Sequence, residues 1–94
     1  MQFDWDLDKA RKNLAKHGVR FEDALFAFFD PFGRIELDVE HSEEEDRYRH
    51  MGMTRDGLVV VVYTIRQTGD VYRIITARKA TRKERKRYEN YKRI

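Results

Sequence analysis

Four arginines in the middle of the chain, Arg47, Arg49, Arg66 and Arg73, converge once hairpins are drawn through them. Thr54-Arg55-Asp56-Gly57 and Gln67-Thr68-Gly69-Asp70 carry Asp-Gly and Gly-Asp turn signals. They separate stretches rich in β-branched and aromatic residues, the pattern of strands joined by tight turns. With turns there, Arg47 faces Thr64 and Thr64 faces Arg73, and alternation puts all three on one sheet face. Arg49, Val62 and Ile75 form the next row, then Met51, Val60 and Ala77. Glu45 falls opposite Arg66 if pairing extends that far. The other face reads Tyr48, Tyr63 and Ile74, then His50, Val61 and Thr76, then Val59 with Arg78. A one-residue slip would exchange the faces of a strand and dissolve the arginine row. Guanidiniums gathered this closely repel unless an anion or a carboxylate sits among them. The plainer alternative is a solvated face whose arginines pair with acids from the first half of the chain.

An anion pocket of arginines suits RNA backbone cleavage, which needs neither metal nor cofactor. The ribose 2′-hydroxyl attacks its own adjacent phosphate, given a base, a proton donor for the 5′-oxygen and a stabiliser of the phosphorane charge. Arginine forks onto phosphate oxygens and keeps its charge, so Arg47, Arg66 and Arg73 fit the stabilising role. Glu45 and His17 are the candidate base and acid. Arg49, Arg78, Lys79 and Arg85 are candidate RNA contacts. On the last helix Tyr88 and Tyr91 are placed either to stack on bases or to anchor that helix to the sheet.

Other chemistries lack their residues. There is no cysteine, which removes disulfides and thiolate sites. His17, His41 and His50 are far apart, and the acid run Glu43-Glu44-Glu45-Asp46 lacks metal-loop spacing, so no metal is expected. Ser42 is the only serine and has no nucleophile-elbow motif around it. Glycine patterns for phosphate loops or dinucleotides are missing, so no cofactor is expected.

The elements that must position these residues read as α+β. Leu7, Ala10, Leu14 and His17 recur at helical spacing, with Asp6 or Asp8 to cap the start and Gly18 at the stop. Phe21, Ala24, Leu25 and Phe28 mark a second short helix that Asp30-Pro31 ends. Arg34–Val39, Arg47–Met53, Leu58–Ile65 and Val71–Arg78 then read as strands, and residues 2–5 as a short leading strand. Thr81 and Glu84 form a capping box for a helix running to about Tyr91. The expectation is a four-stranded antiparallel meander, covered on its aromatic face by the two N-terminal helices, with a C-terminal helix. Its 94 residues are expected to form one domain, 1–94. Up to Asp46 there are six Lys/Arg against thirteen Asp/Glu; after it, fourteen against four, so the halves carry −7 and +10. The basic half is a landing surface for polyanions or an acidic partner segment. No apolar run approaches the roughly 18 residues of a membrane span, and the N-terminus lacks a signal-peptide pattern. The location expected is the cytoplasm.

Asn13-Leu14-Ala15-Lys16-His17-Gly18-Val19-Arg20-Phe21-Glu22-Asp23-Ala24 resembles the Asn-x-x-Lys-His-Gly-Val-x-Phe-Glu-(Glu/Asp)-Ala motif of BrnT-type toxins. Asp30-Pro31, His41-Ser42, Glu45-Asp46-Arg47, Val61-Val62-Tyr63-Thr64, Arg73 through Ala80, Glu84-Arg85 and Tyr88 continue the likeness in order. The resemblance implies a RelE-like fold and a ribonuclease toxin of a bacterial type II toxin–antitoxin system that stops translation by cutting RNA. It implies a BrnA-type ribbon-helix-helix antitoxin, two toxins per antitoxin dimer, and operator DNA contacted only through the antitoxin. The family's arginines correspond to Arg47, Arg66, Arg73 and Arg78. Arg49 and His50 stand where many members have an apolar residue. The competing expectation is a module that binds RNA or protein without cutting.

Overall fold

The computed structural model describes residues 1–38, 45–66 and 69–93. His41, Ser42 and the Glu43-Glu44 part of the acid run lie outside the described residues, as do Val39 and residues 67–68 of the second loop. In chain order the elements are β1 (Gln2–Asp4), α1 (Leu7–His17), α2 (Phe21–Ala24), a 3-10 helix (Leu25–Phe29), β2 (Arg34–Leu37), β3 (Arg47–Thr54), β4 (Gly57–Arg66), β5 (Val71–Lys79) and α3 (Arg82–Lys92). The class is α+β, and the sheet corrects the four-stranded meander. It has five strands in the order β1-β5-β4-β3-β2, and β1 lies parallel to β5. The leading strand therefore joins the sheet, and its Asp4 comes beside Arg73.

Local chemistry sets the boundaries. Asp6 caps α1 by accepting from the Asp8 and Lys9 amides, and Gly18 ends it in the left-handed region at φ 70°. The second helix lasts one α-turn, Phe21–Ala24, and then tightens into the 3-10 segment that Asp30 stops. Thr81 and Glu84 form the reciprocal capping box of α3.

The aromatic face of the sheet is the covered one. Val59, Val61, Tyr63, Ile74 and Ala77 pack against Val19, Phe21, Ala24 and Ala27 with little or no exposure. Tyr63 stacks with Tyr72 at 5.2 Å, and Phe28 packs edge-on to both within 6 Å. The 3-10 backbone lies directly on β3: a Cβ at Gly52 would stand 2.3 Å from the Ala27 carbonyl oxygen, so only glycine permits this approach. A smaller second core of Met51, Leu58, Val60 and Tyr88 holds α3 against one end of the opposite face. Among the described residues no helix covers the rest of that face.

Only half of the stripe read on α1 faces inward: Ala10 packs on the core and His17 is half-buried, but the leucines point out. Leu7 is 68% exposed and Leu14 38%, whereas Asn13 is buried. The helix lies along the free edge of β5 beyond β1. There, the Asn13 Nδ2 donates to the Val19 and Ala77 carbonyls at 3.0 and 2.8 Å, and its Oδ1 accepts from the Ala77 amide at 3.1 Å. One side chain thus satisfies an edge that would otherwise need another strand. Asp30 does comparable work at the other end. Its carboxylate accepts from the Phe32 and Met53 amides and the Tyr88 hydroxyl, tying the 3-10 exit, β3 and α3 together. Burial raises its pKa, but those hydrogen bonds outweigh that and hold it below the usual aspartate value. Among the described residues, no helix is long and apolar enough to cross a membrane.

Candidate functional site

The expected hairpin register places the arginines. Arg47 pairs with Thr64 and Thr64 with Arg73, so the row spans β3, β4 and β5 on the open face. Adjacent strands lie about 4.8 Å apart, which puts the two arginine backbones roughly 10 Å from each other. Arg66 is two residues along β4 from Thr64, on the same face and exposed. Arg49 pairs with Val62 in the next row.

Beyond that row the register differs from expectation. Val62 pairs with Thr76 rather than Ile75, because a bulge at Ile75 adds one residue to β5. Arg78 therefore moves opposite Val60, onto the arginine face, and Ala77 turns into the core. Arg78 is not an open phosphate contact. It forks onto Glu84 at 2.7 and 2.9 Å, and that bond holds the Glu84 carboxyl down to about 2. The pair pins the start of α3 to β5.

Acids flank the row. Arg73 meets Asp4 at 3.3 Å, while Arg49 and Arg87 meet the two oxygens of Glu36 at 3.5 and 3.6 Å. These pairs are long and half-exposed, unlike Arg78–Glu84, and exposed pairs contribute only about 0–1 kcal/mol. A phosphate competes for such guanidiniums at little cost. Arg66 has no ion pair among the described residues.

The other candidates fall elsewhere. Glu45 precedes β3, whose ladder begins at Arg47, so it does not pair across from Arg66. His17 lies in a groove with Lys9, Lys12, Lys16, Ile75 and Thr76, on the α1 side of the molecule. Lys79 pairs with Val59 at the end of the helix-covered face, away from the arginine row. Arg85 is exposed on α3. Tyr88 is 2% exposed, so its ring face is closed to a base; burial and the Asp30 carboxylate push its hydroxyl up to about 12. Tyr91 is the exposed tyrosine of α3, and Arg34 lies over its ring at 3.1 Å.

Asp4, Glu36 and Arg34 had no assigned part in the sequence reading. Each has a signal in hindsight: Asp4 lies in the leading strand, and Arg34, Glu36 and Asp38 alternate with apolar residues. Thr64 in the centre of the row is 1% exposed, and its hydroxyl lacks a partner among the described residues. Among the described residues no group of three or more His, Asp or Glu is placed to hold a metal ion.

His50, on the covered face, is 5% exposed and rests against Phe28 at 4.6 Å, and neither ring nitrogen has a well-formed hydrogen bond among the described residues. Burial lowers its pKa below 6.5, and the nearby Ala27 carbonyl and Asp30 carboxylate offset this only in part. Unfolding frees it to take a proton at the ordinary value, so the unfolded state binds more protons between the two pKa values. Stability is expected to fall as pH drops below about 6.5 and to level off below the folded-state pKa. Urea midpoints measured across pH 7.5 to 5 check this; His50→Leu should flatten that part of the profile, and an unchanged slope would remove the assignment.

A family model described as "Ribonuclease toxin, BrnT, of type II toxin-antitoxin system" matches residues 5–84. No curated protein matches the chain. The matched stretch includes β2 to β5, the whole arginine row and the Asn13 and Asp30 anchors, and it ends at Glu84.

Proposed function

Since this chain belongs to the BrnT family of ribonuclease toxins of type II toxin–antitoxin systems, we propose that it cuts RNA without a metal on the open face around Arg47, Arg66 and Arg73. The observation that carries this reading is the Arg47–Thr64–Arg73 row, on a sheet face that no helix covers there among the described residues. In the step, the substrate 2′-oxygen bonds to phosphorus and gives its proton to a base. The P–O5′ bond breaks, the 5′-oxygen takes a proton, and a 2′,3′-cyclic phosphate remains. Arg47 and Arg73 grip the non-bridging oxygens from two sides as charge builds on them, and Arg66 extends the grip along β4. Glu45, close in sequence to Arg47, is the stronger candidate for proton transfer, because His17 lies on the α1 side. In a RelE-like toxin of this kind, cutting RNA inhibits translation in the cytoplasm. A BrnA-type ribbon-helix-helix antitoxin, carrying two toxins per dimer, would bind the basic half, cover the row and contact operator DNA itself.

Purified protein incubated with RNA in chelator should leave ends bearing 2′,3′-cyclic phosphate. Intact RNA alongside folded protein, or cleavage only after metal is restored, would overturn the mechanism. The second reading, a binding module that does not cut, is favoured by the carboxylates that already meet Arg73 and Arg49. Expression separates the two: a nuclease arrests growth unless its antitoxin is co-expressed, and a passive binder is tolerated.

A further inference from the structure

Between α3 and the β2–β3 edge lies a groove of about 340 Å³ lined by Arg34, Glu36, Met51, Arg87, Asn90 and Tyr91. A narrow cleft of about 10 Å³, space for one water, leads from its inner end to Arg49 and Val60. We infer that this groove holds one ribonucleotide of the RNA, its base against Tyr91 and Met51 and its phosphate on Arg49 and Arg87. The inference rests on the proposed ribonuclease reading and assigns that site a base-reading pocket.

The volume lies within the range of small-ligand pockets, about 300–1,000 Å³. Charge favours an anion: Arg34, Arg49 and Arg87 gather here, Glu36 meets only the last two, and Glu84 is already committed to Arg78. The Glu36 contacts are both 3.5 Å or longer, so neither guanidinium is saturated. The Arg49 Nε is buried and has no acceptor among the described residues, an unmet donor beside the groove. The terminal Arg49 nitrogens, on a side chain that is partly exposed, are the ones open to a phosphate oxygen.

The outer end suits a base rather than a second phosphate. Tyr91 is 41% exposed, and Arg34 lies over its ring, which fixes the ring as a shelf. Met51 gives an adaptable apolar contact next to it. Asn90 offers an amide donor and acceptor, and Glu36 an acceptor, the groups that read the hydrogen-bonding edge of a splayed base. Along β3, Met51 is four residues from Arg47, about 13 Å. A strand of RNA crossing the arginine row therefore reaches the groove without leaving the sheet. Arg87, Asn90 and Tyr91 lie on α3 beyond the segment that the family model matches.

The test is an NMR titration of the full chain with each of the four nucleoside 5′-monophosphates and with inorganic phosphate, together with cleavage mapping. Nucleotides should shift Arg34, Met51, Asn90 and Tyr91, with one base preferred, and Tyr91→Ala should weaken binding by about tenfold or more. Asn90→Ala, at an exposed position, should change the preferred base while the melting temperature stays put. In cleavage, Tyr91→Ala should cut the same RNA at more sites. Equal shifts from inorganic phosphate and all four nucleotides, or an unaltered cutting pattern in both variants, would overturn the base pocket. Nucleotide binding in the groove by a chain that never cuts RNA sinks the ribonuclease reading and leaves the pocket standing. Cutting with a silent groove does the reverse.

Discussion

Arg73→Ala is expected to slow RNA cleavage by about 10²–10³-fold, the cost of removing one preorganised donor from a developing oxyanion, while shifting the melting temperature by only a few degrees. The two effects separate because of how Arg73 is held. Its ion pair with Asp4 at 3.3 Å is half-open to water, so breaking that pair costs the fold about 1 kcal/mol or less. On the proposed mechanism the transition-state phosphate offers Arg73 far more, since charge builds there in a less hydrated setting. Asp4→Asn supplies the control, because it breaks the same pair but leaves the guanidinium in place. Cleavage by Asp4→Asn should match or exceed the parent. Were the pair itself the source of activity, both variants would fall together. Arg73→Lys keeps a charge but loses the fork, and should lie between parent and alanine. Steady-state cleavage of a fluorescent oligonucleotide at 0.15 M salt, with melting curves on each variant, reads all three. Full activity in Arg73→Ala removes the row from the mechanism.

Much of that row was legible before any coordinates. Turn residues fixed the pairing of β3 with β4, and of β4 with β5 as far as Tyr63, so Arg47, Thr64 and Arg73 emerge from arithmetic on residue numbers. The arithmetic fails at Ile75 because a bulge has no strong sequence signal: Arg73 through Ala77 alternates no differently from an unbroken strand. That single residue decides the face of Arg78, and its true partner, Glu84, is six residues away on another element. The flanking acids were hidden for a different reason. Asp4 sits in a three-residue strand, too short for periodicity to report, and its parallel pairing with β5 needs the α1 connection to be known. Tyr88 and Tyr91 look alike on a helical wheel; Asp30, far earlier in the chain, is what takes the first inward.

The stripe on α1 misled for an instructive reason, and it leads to the largest expected loss of stability. Leucines at helical spacing suggest a helix buried on its apolar side, yet this helix docks through an amide. It lies on a strand edge rather than a sheet face, and an edge presents backbone donors and acceptors that leucine cannot satisfy. Asn13→Ala strips partners from the Val19 carbonyl and from both the amide and the carbonyl of Ala77, all buried, at about 1–3 kcal/mol for each group left unmet. A total loss of about 3 kcal/mol or more should lower the melting temperature by roughly 15 °C. Asn13→Asp is nearly the same shape but cannot donate when ionised, and its charge would face two carbonyl oxygens. The new carboxyl therefore has a raised pKa in the folded state, and its protonated form restores one donor. Stability of Asn13→Asp should recover as pH falls through that raised value, relative to Asn13→Ala, which gains nothing comparable. Paired melts at pH 7 and pH 5 decide it. An alanine variant within about 2 °C of the parent would show that water replaces the amide at this edge, and that the Asn of the family motif holds something other than β5.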